Sequence, residues 1–107
     1  MREEICLVLT NLPDAPSAQA LARRLVEEGA AACVNVLAPC VSLYRWQGAL
    51  EEAAEVPVLI KAAVRRYADV EEIIRQCHPY ELPEIVAVPV TAGLPAYLAW
   101  VAEATRL

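Results

Sequence analysis

The chain carries one histidine, one lysine and three glycines in 107 residues, and each scarcity closes off a class of function. Three glycines cannot build a glycine-rich phosphate cradle, and no Walker-type loop occurs. No Ser-His-Asp arrangement and no metalloprotease motif is present. The single lysine stands beside eight arginines in a chain of net charge −5. That balance argues against nucleic acid, which rewards clustered basic residues through counterion release. Arg23-Arg24 and Arg65-Arg66 are the only basic pairs, and both read as solvated-face charges on helices. No apolar run approaches the roughly 18–20 residues that span a bilayer, so no membrane partner is expected. Ile5–Leu9 is too short for a signal-peptide core and follows acidic residues, which points to the cytoplasm. The four cysteines, Cys6, Cys33, Cys40 and Cys77, match no disulfide scaffold, and without a Cys-x-x-Cys pair a structural zinc site is not expected.

What is abundant is apolar side chain. The hydrophobic fraction of 58% exceeds the ~45–50% of ordinary soluble domains. One domain of this length buries roughly two thirds of its unfolded surface, and the surplus is best buried against another copy of the chain. Glu4–Thr10 is a short β-branched run that reads as a buried central strand, followed by a proline-bearing loop over Asn11–Pro16. Ser17 is placed to cap a helix whose apolar positions are Ala18, Leu21, Ala22, Leu25 and Val26, with Gly29 as its stop. Tyr67–Cys77 reads as a second helix, ended by Pro79, with Val70, Ile73 and Ile74 on one face. Glu84–Val90 is a further strand, short or at an edge because of Pro89, and Pro95–Arg106 closes the chain as a helix.

Between the first two helices lie two β-rich runs, Ala31–Trp46 and Leu50–Val64, on either side of a plausible tip at Gln47-Gly48. Strands of about 14–16 residues reach roughly 45–50 Å, whereas a compact domain of this size is about 35 Å across. The hairpin therefore overhangs its own domain, carrying Val41, Leu43, Tyr44, Trp46 and Leu50, and needs a partner to cover it. Pro39 and Pro57, nearly equidistant from the tip, are expected to face each other at a bend or bulge. The element order β-α-β-β-α-β-α fits a ferredoxin-like α+β sandwich with a short C-terminal helix.

Four segments in this order carry a specific resemblance: Ala32-Cys-Val-Asn35, Ser42-Leu-Tyr-Arg-Trp-Gln-Gly48, Glu55 ahead of Val58-Leu-Ile-Lys61, and His78-Pro-Tyr-Glu-Leu-Pro-Glu-Ile85. Over essentially its whole length the chain resembles the CutA-type divalent-cation tolerance proteins. The resemblance implies a fold similar to PII signalling proteins, a homotrimer whose long hairpins clasp neighbouring subunits, and binding of divalent metal ions, copper above all. The family often has Lys-Thr where this chain has Lys61-Ala62, a departure that matters if that hydroxyl contributes to ligand binding.

Thiolates and imidazole suit copper, so the metal reading takes Cys33, His78 and Glu84 as ligands of Cu(II) or another divalent cation, with no obligatory cofactor and no catalysis. Cys33 and Cys40, seven apart, point to opposite faces of an unbroken strand unless a bulge at Pro39 realigns them, and in a trimer Cys33 of one subunit would have to meet His78 of another. Against this, Cys6, Cys33 and Cys40 also read as small buried apolar residues, and His78 as a cap on backbone groups. Lys61, alone in an apolar strand, must reach solvent or a carboxylate. An inter-subunit cleft of Tyr44, Trp46, Glu55, Lys61 and Tyr80 would either bind a small metabolite, as a PII-like sensor does, or hold a buried ion pair of Lys61 with Glu55 or Glu84 that fixes the register between subunits. Tyr44 and Trp46 themselves read as interface anchors. An enzyme using Lys61, His78 or Tyr80 as acid–base groups is disfavoured, because no nucleophile–base pair is recognisable.

Overall fold

The computed structural model describes residues 3–105. Strand β1 (Ile5–Leu12) is followed by helix α1 (Ala15–Glu27), strands β2 (Cys33–Val36), β3 (Cys40–Trp46) and β4 (Ala49–Ala63), helix α2 (Tyr67–Cys77), strand β5 (Val86–Pro89) and helix α3 (Pro95–Ala104). All pairings are antiparallel, in the order β2-β4-β1-β5 with β3 continuing alongside β4. This is the ferredoxin-like α+β arrangement expected from the element order. β1 is central and β5 lies at the edge, where Pro89, which has no N–H, is tolerated. Helix α3 occupies Pro95–Ala104; Arg106, the expected end of that helix, lies outside the described residues.

Local chemistry sets the boundaries, in two places against expectation. β1 continues through Asn11 and Leu12, which pair with Pro57 and Val56, so the proline loop begins later than the sequence suggests. Leu12 is fully buried, and that burial outweighs the loop signal around it. The cap of α1 is Asp14 rather than Ser17: its carboxylate accepts the Ser17 N–H at 2.8 Å, which lowers its pKa. Pro16 then occupies the first turn, where its missing N–H is harmless. At the other end Gly29 has φ 72°, and the N–H groups of Gly29 and Ala30 donate to Val26 and Leu25. That is a Schellman closure, and it needs glycine.

Side chains alternate across the sheet. Cys6, Val8, Leu12, Val58, Ile60 and Ala62 face α1 and α2, where they meet Leu21, Leu25, Val70 and Ile74 in the main core. Each large aliphatic buried there contributes about 1.5–3 kcal/mol. The opposite face carries Ile5, Leu7, Leu9, Leu59, Val86 and Val88. Helix α3 covers one end of it through Val101 and Ala102 against Ile5 and Ala63, and the rest stays partly open.

Arg66 overturns the solvated-face expectation, whereas Arg65 remains exposed. Arg66 is only 8% exposed. Its guanidinium donates to Asp69 Oδ2 and to the carbonyls of Gly29 and Thr105. Arg65 donates to Glu3 and to the carbonyls of Ala102 and Thr105. Together they donate to carbonyls at the end of α3, a place where positive charge also suits the helix dipole.

The β3–β4 hairpin leaves the domain as the length argument requires: the principal extents are 47 × 26 × 23 Å, and burial along β4 begins only at Glu55. Gln47 and Gly48 both have positive φ, 50° and 82°, as a two-residue type I′ turn demands. The expected irregularity near Pro39 is a bulge. Three residues, Leu37–Pro39, stand opposite two, Val56 and Pro57, between the β2 and β3 registers. Pro39 consequently falls one residue out of step with Pro57, whose carbonyl accepts the Leu37 N–H.

Candidate functional site

The bulge decides which side chains meet at the root of the hairpin. Past it, Cys40 pairs with Glu55, Ser42 with Ala53, Tyr44 with Glu51 and Trp46 with Ala49. Residues directly opposite share a face, so Tyr44 and Trp46 stand on the Glu55 side of the sheet. That side also holds Asn11, at the end of β1. The loop between α2 and β5 closes over this corner, and the result is a cleft of about 820 Å³ whose lining includes Asn11, Tyr44, Trp46, Glu55, Tyr80 and Glu84.

His78 positions that loop. Pro79 cannot continue α2, and the His78 backbone N–H makes the last helical bond, to the Ile74 carbonyl. Its ring is buried, with Nε2 at 2.5 Å from the Asn11 carbonyl and Nδ1 accepting the Tyr80 backbone N–H at 3.1 Å. A nitrogen facing a carbonyl must carry the proton and one facing an N–H must not, which assigns a neutral ring protonated at Nε2. The imidazole thus ties the loop to β1 and lies against the Tyr80 ring, centroids 4.7 Å apart. Asn11 is fixed a second time, its Nδ2 donating to Glu84 Oε1 at 3.0 Å. Sequence reasoning missed Asn11; the only signal for it was its place at the end of a buried strand.

Glu55 is the electrostatic centre of the cleft. It is only 8% exposed and makes no ion pair among the described residues. Burial pushes the Tyr80 phenol up, and the charge and hydrogen bonding of Glu55 push it further. The protonated phenol is therefore the form the cleft keeps beside this carboxylate. Glu81 joins Glu84 on the rim.

Of the expected site residues, the structure brings Tyr44, Trp46, Glu55, Tyr80 and Glu84 together, with His78 behind them. Lys61 and Cys33 are elsewhere. They pair with each other across β2 and β4, on the cleft's side of the sheet, but six residues along the strand from Glu55, a distance of about 20 Å. Lys61 Nζ lies 5.8 Å from the centroid of the Tyr97 ring. The bulge does bring Cys33 and Cys40 to one face, though their partners' separation keeps them equally far apart. All four cysteines are free. Cys6 is buried, which pushes its thiol up. Cys40 is exposed rather than buried as expected, and Cys77 accepts a hydrogen bond from Arg24 at 3.3 Å. Ala62 points into the core beneath the helices, away from Lys61 and the cleft, so its departure from Thr is a matter of packing.

Residues 6–104 match the family CutA1, divalent ion tolerance protein. The divalent-cation tolerance protein CutA of Thermus thermophilus is 40% identical over 99 residues, spanning 92% of this chain and 96% of its own. Protein CutA of Mus musculus is 41% identical over 102 residues, and there the chain spans 58% of the relative's length. Among solved structures, CutA from Xylella fastidiosa superposes with a TM-score of 0.92 at 41% identity, covering 95% of this chain and 98% of that one. A protein from Archaeoglobus fulgidus, described as a periplasmic divalent cation tolerance protein CutA, gives 0.92 at 31% identity, covering 95% and 99%.

Proposed function

The chain belongs to the CutA1 divalent ion tolerance family, and from that premise we propose that it binds copper or a similar divalent ion, without catalysis, as a homotrimer in which each subunit completes its neighbour's site. The observation that carries this reading is the acidic lining of the cleft, where the exposed carboxylates of Glu81 and Glu84 stand around a buried Glu55 that has no cationic partner among the described residues. Such a lining favours a positive charge.

No three side chains of His, Cys, Asp or Glu gather closely enough to hold a metal ion among the described residues of one chain. The ligand set Cys33, His78 and Glu84 therefore closes only across a subunit boundary, with the thiolate supplied by a neighbouring subunit. His78 would offer Nδ1 by giving up the Tyr80 N–H, and Glu84 its carboxylate. Trimerisation is supported by the overhanging hairpin, where Val41, Leu43 and Leu50 are 65%, 65% and 70% exposed, and by the open apolar face of the sheet. No helix among the described residues is long and apolar enough to cross a membrane. Four free cysteines suit a reducing compartment, which favours the cytoplasm for this chain.

The test is a calorimetric titration of the reduced, metal-free protein with Cu(II) and then Zn(II), with the assembly mass measured in the same sample. One ion per subunit is expected, weakened at least tenfold by Cys33→Ser or Glu84→Gln. Weak, non-stoichiometric heat insensitive to both substitutions would overturn the metal reading, and a monomeric mass would overturn the assembly.

A further inference from the structure

We propose that the cleft at the hairpin root is a site for one alkylammonium group, with Glu55 as its counter-ion and the rings of Tyr44, Trp46 and Tyr80 around it. The inference rests on reading the cleft as a cation site, and it specifies the cation. A bare divalent ion needs several oxygen ligands around one point, and this corner offers a single buried carboxylate beside a protonated phenol. It offers aromatic surface instead. Three rings line a space of about 820 Å³ together with Leu43, Leu82 and Ile85. Ring faces attract a cation that keeps an apolar tail, and desolvation strengthens the attraction. One monovalent head compensates the buried Glu55 carboxylate, while the other two carboxylates of the lining, Glu81 and Glu84, are exposed to water.

Two sources can present this chemistry. One is a free primary amine. The other is Lys61 of a second copy of the chain. Lys61 is the sole lysine, is half-buried on the open face of the sheet, and makes no ion pair among the described residues. Within its own chain it lies over the Tyr97 ring and is about 20 Å from Glu55, so these two opposite charges, neither in an ion pair among the described residues, can meet only between copies.

The experiment titrates n-butylammonium chloride into the full chain by calorimetry, with n-butanol as the neutral control of the same shape. It is run on the wild type, Glu55→Gln, Trp46→Ala and Lys61→Ala, with assembly mass and unfolding midpoint recorded for each variant. If a free amine is the ligand, the wild type binds one butylammonium per chain, the affinity falls at least tenfold in Glu55→Gln and severalfold in Trp46→Ala, and butanol gives no heat. If Lys61 of a second copy fills the cleft, the wild type is silent, while Lys61→Ala binds butylammonium and loses that binding when Glu55→Gln is added. Lys61→Gln replaces Lys61→Ala if the latter does not fold. Silence in both the wild type and the Lys61 variant, equal binding of butanol, or binding indifferent to Glu55→Gln would each overturn the proposal. Cu(II) titrated into the same samples separates the two readings. Copper binding without butylammonium binding in any variant sinks this inference alone, and the reverse sinks the metal reading alone.

Discussion

Replacing Thr10 by valine should make the protein more stable. Thr10 stands on the helix-facing side of β1, opposite Val58 and 1% exposed, and its hydroxyl has no hydrogen-bond partner among the described residues. A buried hydroxyl deprived of water without compensation costs about 1–3 kcal/mol. Valine keeps the β-branched shape and sets a methyl in its place, and burying such a group is worth up to about 0.8 kcal/mol. Some of that is lost to crowding in a core already closed by Val8, Leu12 and Ile60, leaving a net gain of about 1–2 kcal/mol. With a urea m-value of about 2 kcal/mol/M, the midpoint rises by about 0.5–1 M at unchanged slope. The measurement is equilibrium unfolding by circular dichroism at one fixed protein concentration, because assembly couples stability to concentration. Thr10→Ser is the control: it keeps the hydroxyl, removes the methyl and should cost about 1 kcal/mol. If Thr10→Val is neutral or destabilising, the hydroxyl is bonded in solution to a buried water and the reasoning fails.

Arg66→Ala strands the carbonyl of Gly29 and leaves that of Thr105 to Arg65 alone, and should cost about 1–3 kcal/mol in the same unfolding assay; a loss below half a kilocalorie, on the order of an exposed charge, would contradict the buried clamp. Gly29→Ala places a Cβ at φ 72° and should cost about 1–2 kcal/mol, with a neutral result refuting the Schellman closure. With a thiol-specific reagent Cys40 and Cys77 should react first and Cys6 last, because Cys6 is buried and its raised pKa leaves less thiolate. Tyr80 holds its proton more tightly folded than unfolded, so its contribution is whole below the unfolded value of 10.0 and is lost as pH rises through the folded one. Glu55→Gln should lower the ionisation midpoint of that phenol in a phenolate-absorbance titration without returning it fully, since burial is the larger cause.

The fold was legible because its signals are local and periodic. The eleven residues of α2 carry their apolar positions on one face, and that helix lies where the sequence places it. The hairpin length, its tip and the edge position of β5 followed from strand geometry and from where proline and glycine fall. What was not legible depended on distant partners. Arg66 resembles any helix-surface arginine until the end of α3 arrives beside it. Asn11 reads as loop until β4 pairs it. The candidate site divides in the same way: Tyr80 and Glu84 were conspicuous within one dense segment, and Glu55 stood out as a charge in an apolar strand, whereas the placing of Lys61 outside the cleft follows from distance along β4. That separation was readable in the sequence once Leu50–Val64 is taken as one strand, since six residues span about 20 Å.

The bulge at Leu37–Pro39 makes the hairpin sensitive to odd and even. Without the extra residue, even-numbered positions of β3 would pair with even-numbered positions of β4, opposing Tyr44 to Leu50 instead of Glu51. A two-residue tip would then be impossible, and Gln47-Gly48 could not form its turn. Tyr44 and Trp46 would move to the other surface and Leu43 and Arg45 would take their places beside Glu55. Deleting one residue there turns the hairpin inside out, whereas removing two successive pairs of facing residues farther out, two from each arm, merely shortens it. Chains that keep this cleft should therefore be able to vary the reach of the hairpin in steps of two residues per arm, but not the count of residues at its root.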